Sequence, residues 1–179
     1  MFKGEDSWIN YMLYVTGNEF KFREAKELFE DLEHGTVNIK EIQGSPEEVV
    51  RDKCLKAFNA LNEPVLVDDA SLGISDLGGF PGPYIKDFLS IGVESIGEYF
   101  CGSKAVATCL VAYTEDGENV VMGRGEVEGL IVEFTEGKFG FDPIFKPDGC
   151  EKTRGEMTPA EKREVSPRII ALNALFERL

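Results

Sequence analysis

The chain of 179 residues contains one histidine, one tryptophan and four cysteines, and these scarcities remove whole classes of chemistry. A metal site built on two or more histidines is excluded, and a Ser-His-Asp triad would have to use His34. Cys54, Cys101, Cys109 and Cys150 show no CxxC spacing, so they read as reduced thiols rather than a zinc site or a disulfide frame. Positive charge is also short. Nineteen Lys+Arg stand against 33 Asp+Glu, for a net charge of -14, which argues against a duplex nucleic-acid partner, since that needs excess basic charge to neutralise phosphates. A small anion remains open, because a few lysines focused in one cleft can hold it while the outer surface stays acidic. No apolar run approaches the roughly 20 residues that span a bilayer. The opening MFKGEDSWIN lacks the apolar core of a signal peptide, so the expectation is a cytoplasmic protein with no membrane partner. No internal repeat or low-complexity linker divides the chain, and residues 1–179 read as one domain of ordinary globular composition, 42% hydrophobic and 29% charged. With histidine so scarce, any catalysis falls to carboxylates and lysines.

The stretch that carries most is PVLVDDASL, Pro64 to Leu72. Val65, Leu66 and Val67 form the unbroken apolar run of a strand buried on both faces, and Asp68 and Asp69 fall at its carboxyl end. Open α/β sheets form ligand crevices at that place, where two acids can bind a hard cation such as Mg²⁺ or take a proton from water. The alternative is a solvated acidic turn.

Upstream, Tyr11 to Val15 reads as a strand running into Thr16-Gly17-Asn18, after which a helix is expected over Glu19 to Glu33 with Phe22, Ala25, Leu28, Phe29 and Leu32 on one face. A strand, a glycine turn and a helix N-terminus make an anion site of free N–H groups, and Lys21 can add a point charge, although many such units carry no ligand. His34, beside Gly35 where that helix is expected to end, reads as structural. Val37, Ile39 and Glu41 alternate along an expected strand, which sets a carboxylate on an apolar face unless the strand has already ended. Ser45-Pro46-Glu47-Glu48 is a capping box with proline at the first helical position. Its helix buries Val50, Cys54, Ala57 and Leu61, stops before Pro64, and carries Lys53 near the apolar border.

Downstream, Gly78 to Tyr84 is too rich in glycine and proline for regular structure and precedes a short helix with Lys86, Phe88 and Leu89. A helix over Glu94 to Phe100 follows, then strands over Lys104 to Thr114, Val120 to Glu126 and Leu130 to Phe134. The loop GKFGFDPIF, Gly137 to Phe145, sets two aromatics around a glycine, where they either belong to the core or offer a flat face to a purine. Thr158-Pro159-Ala160-Glu161 starts a helix with Lys162, and Ser166-Pro167-Arg168 starts the last one, anchored by Ile169, Leu172 and Phe176.

In order along the chain, VTGN (Val15 to Asn18), LVDDASL (Leu66 to Leu72), GGFPGPYIKDF (Gly78 to Phe88), GKFGFDPIF and AEKREVSPR (Ala160 to Arg168) resemble the motifs of the inosine triphosphate pyrophosphatase family. The resemblance runs from Tyr11 nearly to the end. It implies an α/β fold, a mixed central sheet flanked by helices, elongated and two-lobed around a central cleft, in a homodimer. It also implies hydrolysis of non-canonical purine nucleoside triphosphates (ITP, dITP, XTP) to the monophosphate and pyrophosphate. Thr16, Gly17, Asn18 and Lys21 would hold the triphosphate, and Lys53 and Lys86 would contact substrate from neighbouring elements. Glu41 and Asp69 look like the Mg²⁺-binding acids, with Asp69 also the proton acceptor. Phe139, Gly140, Phe141 and Asp142 look like the base-stacking loop, and Lys162 and Arg168 like residues that read the base. Two departures stand out: Pro167 where the family commonly has histidine, and Ala70 where many members carry Ser or Thr. Two other readings are Maf-like proteins of similar architecture with a different nucleotide set, and a nucleotide-binding regulator without turnover, against which the acids Glu41, Asp68 and Asp69 argue.

Overall fold

The computed structural model describes residues 12–137 and 139–179; Tyr11, at the start of the expected first strand, lies outside them. The strands are β1 (Leu13–Val15), β2 (Glu33–Gly35), β3 (Val65–Ile74), β4 (Pro81–Gly82), β5 (Lys104–Thr114), β6 (Val121–Ile131) and β7 (Phe145–Pro147). The helices are α1 (Glu19–Lys26), α2 (Pro46–Leu61), α3 (Ile85–Phe88), α4 (Val93–Tyr99), α5 (Pro159–Glu164) and α6 (Pro167–Phe176). They build an α/β fold on one seven-stranded mixed sheet of order β2-β1-β3-β5-β6-β7, with β4 paired to β3. The pairs β1–β2 and β1–β3 are parallel and the others antiparallel.

Strand alternation decides which helix covers which face. Leu66 of β3 and Cys109 and Val111 of β5 pack with α1 and α6 residues Phe22, Ala25, Leu172 and Leu175. On the opposite face Val65, Val67, Leu110 and Ala112 pack with Val50, Cys54 and Ala57 of α2. At the far end of the long strands a separate core gathers Leu72, Ile74, Ile96, Ile131 and Phe145. Helix α6 lies unusually close to β6 because Gly123 and Gly125 leave it room: an added Cβ would stand 2.1 Å from the Ala171 carbonyl oxygen or 2.0 Å from that of Pro167. The close approach fixes the start of α6, hence Ser166 and Arg168. No helix among the described residues is long and apolar enough to cross a membrane.

Four expectations need correction. Helix α1 stops at Lys26, and His34 lies on β2 instead of at a helix end. The free edge of β1 accepts Glu33–Gly35 in parallel, and the preceding turn drives Leu32 into the core, 1% exposed; that edge is a tertiary partner which helical periodicity cannot register. Val37 and Ile39 are half-buried, but the segment joins no ladder and the alternation stops before Glu41, which is exposed, so the strand expected there has already ended. Asp68 and Asp69 stand mid-strand, since β3 runs on to Ile74 along antiparallel β5; only the parallel part ends near them, with Tyr14 opposite Leu66 and β1 finished at Val15. Last, the two strands expected after the hairpin are a single strand, β6. Its alternation runs unbroken through Gly129, where a side chain would collide with the Phe145 ring at 2.8 Å.

Candidate active site

The site begins at the end of β1. The Thr16 amide donates to the Gly35 carbonyl, and the Thr16 hydroxyl accepts from the Asn18 amide at 3.2 Å. Asn18 caps α1, its side-chain oxygen accepting from the Phe20 amide at 3.0 Å and the Lys21 amide at 3.4 Å. Between them Gly17 has no atom within 4 Å of where a Cβ would stand, and its φ is not positive. Neither backbone geometry nor internal packing demands a glycine there, so what the missing side chain leaves is open space at a helix N-terminus. His34 supports the turn: its Nε2 lies 2.8 Å from the Thr16 carbonyl and its ring stacks on Phe22 at 4.3 Å. The histidine is structural, although not at a helix end.

The adjacent acids of β3 leave opposite faces of the sheet and meet different cations. Asp69 projects toward α2, where Lys53 lies 3.5 Å from it and 3.0 Å from Glu41. Burial, joined by the charges of Asp68 and Glu41, raises the Asp69 pKa despite the opposing Lys53 and Lys21. Glu41 is lowered, Lys53 outweighing partial burial, and the neighbouring Lys86 acts in the same sense. Lys53 is held strongly cationic: burial opposes its charge, but Asp68, Asp69 and Glu41 prevail. Lys86 itself is exposed on α3.

Asp68 projects to the other side and is 1% exposed. Its Oδ2 lies 3.0 Å from Lys21 Nζ and accepts from Arg168 Nε at 3.1 Å. Burial alone would raise this carboxyl, yet Lys21, Arg168 and Lys53 hold it well below the usual carboxylate range. Arg168 extends the chain, its Nη1 donating to Glu24 of α1, which also accepts from the Ser166 hydroxyl. Two guanidinium nitrogens are therefore engaged, which leaves Nη2 without a protein partner among the described residues.

A third cluster forms under the aromatic loop. Asp142, 5% exposed, takes Arg154 Nε at 3.0 Å on one oxygen and Lys162 Nζ at 2.8 Å on the other, and Arg154 Nη1 donates to the Val165 carbonyl at 2.7 Å. Asp142 thus ties the loop to α5 and to the start of α6. The loop aromatics separate. Phe141 meets Phe145 edge-on at 6.0 Å, against the core, whereas Phe139 reaches across to the exposed Phe20 of α1 at 5.6 Å. Gly140 between them has a φ of 52°, which favours glycine.

Most of the residues singled out in the sequence thus gather into a Lys21–Asp68–Arg168 group, a Glu41–Lys53–Asp69 group and an Asp142–Lys162 group. Sequence reasoning missed Glu24, Arg154 and Ser166 as members. Glu24 stands one helical turn from Lys21 and could have been found from that spacing; nothing local marks Arg154.

The Ham1 family model matches residues 12–178. The chain belongs to the Ham1 family. Inosine triphosphate pyrophosphatase 2 of Trypanosoma cruzi is 40% identical over 172 residues, covering 90% of this chain and 88% of that protein. Inosine triphosphate pyrophosphatase of Emericella nidulans is 39% identical over 175 residues, 93% of this chain and 94% of the relative. Among solved Ham1 structures, the Coxiella burnetii protein superposes with a TM-score of 0.80 at 25% identity, covering 93% of this chain and 96% of that one. The Staphylococcus aureus Ham1 protein gives 0.73 at 24% identity over 93% and 97%, a likeness of fold. The match to the Ham1 family spans the open turn at Gly17 and all the charged groups described above.

Proposed function

We propose that this protein hydrolyses non-canonical purine nucleoside triphosphates, ITP, dITP and XTP, to the monophosphate and pyrophosphate, and so clears deaminated purines from the nucleotide pool. The observation that carries the reading is the Glu41–Lys53–Asp69 group, a fixed cation between two carboxylates of which Asp69 has a raised pKa, with Lys21, on the helix that the open Gly17 turn starts, near enough for its charge to act on both acids. The Thr16-Gly17-Asn18 turn receives the phosphates on the Gly17 amide and the Thr16 hydroxyl, since the Thr16 and Asn18 amides are already engaged, with Lys21, Lys53 and Lys86 countering their charge. Asp69, the proton acceptor, orients and deprotonates the attacking water.

Glu41 and Asp69 fit a hard divalent cation, because they are oxygen donors and already share one positive charge, the Lys53 ammonium. Mg²⁺ held there would polarise the phosphate oxygens. On the base side, the Phe139–Asp142 loop would offer Phe139 beside Gly140 as the wall of the pocket, with Phe141 packed behind it on the core and Asp142 tying it to Lys162, and Lys162 and Arg168 would supply donors. Arg168 Nη2 can donate to a 6-oxo group and would face an amino group in ATP, which leaves it unpaired. The resemblance supports one domain of two lobes around this cleft. The resemblance supports a homodimer, and four free cysteines support a reducing, cytoplasmic setting.

The test is incubation of the purified protein with ITP, XTP, GTP, ATP and pyrimidine triphosphates plus Mg²⁺, with products identified by phosphorus NMR. Pyrophosphate and IMP from ITP, with little reaction of ATP, is the expected result. Orthophosphate as product, preference for another nucleotide set, or binding without turnover would each contradict the reading.

A further inference from the structure

Lys21 and Arg168 come from different ends of the chain, yet both rest on the same oxygen, Oδ2 of Asp68, at 3.0 and 3.1 Å. The carboxylate is 1% exposed, and the Lys21 side chain whose ammonium rests on it is 17% exposed. Its strand fixes the carboxylate: Asp68 pairs with Val111 in the middle of the β3–β5 ladder, between fully buried Val67 and the Asp69 backbone. Arg168 is clamped on its other side by Glu24, on the helix that also carries Lys21. A shift in either cation therefore changes what the shared oxygen offers the other.

We propose that Asp68 is a positioning residue that couples the phosphate subsite to the base subsite, setting Lys21 and Arg168 through one carboxylate oxygen. The inference rests on the function proposed above, in which Lys21 faces the phosphates and Arg168 the base. Asp68 touches neither substrate nor metal in this scheme; it makes specificity for the base depend on the phosphate clamp.

The consequence is measurable because ITP and ATP have identical triphosphates. A lysine that only binds phosphate lowers kcat/KM for both by the same factor and leaves their ratio unchanged. Coupling through Asp68 predicts that Lys21→Ala also lowers the ITP-to-ATP ratio, by roughly threefold or more, and that Lys21→Ala with Arg168→Gln loses roughly tenfold less than the product of the single losses. Asp68→Asn should lower the same ratio, and Asp68→Glu, which keeps the charge, should recover part of it. If Asp68→Asn does not fold, the Lys21 and Arg168 variants decide alone. An unchanged ITP-to-ATP ratio in Lys21→Ala together with multiplicative losses would overturn the inference and leave Asp68 a structural counter-ion. Wild-type turnover of ITP in the same assay keeps the two readings apart: no turnover sinks the function and this inference with it, whereas turnover with multiplicative losses sinks only the coupling.

Discussion

Because successive side chains of a strand leave opposite faces, Asp68 and Asp69 acquire opposite protonation behaviour from adjacent positions. Asp69, raised by burial and by neighbouring acids, binds its proton more tightly folded than unfolded, so the stability it contributes is lost as pH rises through its folded value. Asp69→Asn should therefore keep or slightly raise the Tm at neutral pH while lowering kcat by about a hundredfold or more. Thermal melts and steady-state rates on the same preparation check both, and a variant that turns over normally would remove Asp69 from the chemistry. Asp68 behaves in the reverse sense. Its folded pKa lies below the unfolded value, so its stabilisation is present above the ordinary carboxylate range and is lost as pH falls through it. Replacing one partner of a buried ion pair costs about 3–5 kcal/mol. Urea unfolding should show Asp68→Asn markedly less stable than wild type at neutral pH, with the gap narrowing once the pH drops below about 3.9, where the unfolded carboxyl is protonated.

Two glycines make contrasting tests among the elements. At Gly125 an added methyl would collide with the Pro167 carbonyl, under the first turn of α6. Gly125→Ala should cost about 1–3 kcal/mol through overpacking, and, because α6 carries Ser166 and Arg168, it should also weaken discrimination between ITP and ATP. At Gly17 the methyl meets no protein atom. Gly17→Ala should leave the melting temperature unchanged and raise KM for ITP, since only a phosphate would occupy that space; an unchanged KM would show that the turn holds no ligand. Helix α2 and strand β5 were legible in the sequence because a capping box and an unbroken apolar run are local signals. The early end of α1, the extension of β3 past its acids and the fusion of β6 were not, because each depends on a partner strand distant in sequence. The glycine turn and the acids were read individually, but the shared oxygen of Asp68 could not be, since it requires Lys21 and Arg168 to meet across the whole chain.

For the molecule as a whole, the balance of charge frames the account. A protein with a net charge of -14 can attract a nucleoside triphosphate only where its few cations are concentrated, and Lys21, Lys53, Lys86 and Arg168 come from four separate elements to do so. Pro167, in place of the family's common histidine, occupies the first position of α6 behind the capping Ser166 hydroxyl, which accepts from the Ile169 amide at 3.3 Å, so the helix start is intact. Rejection of ATP is then expected to survive, and rejection of GTP, which shares the 6-oxo group, to be the weaker of the two; Pro167→His should raise the ITP-to-GTP ratio of kcat/KM. The central claim, a carboxylate-based pyrophosphohydrolase that selects a 6-oxo purine, is tested most directly by kcat/KM for ITP and ATP measured side by side with Mg²⁺. The account predicts ITP favoured by roughly a hundredfold or more, with pyrophosphate released; equal values for the two nucleotides would contradict it.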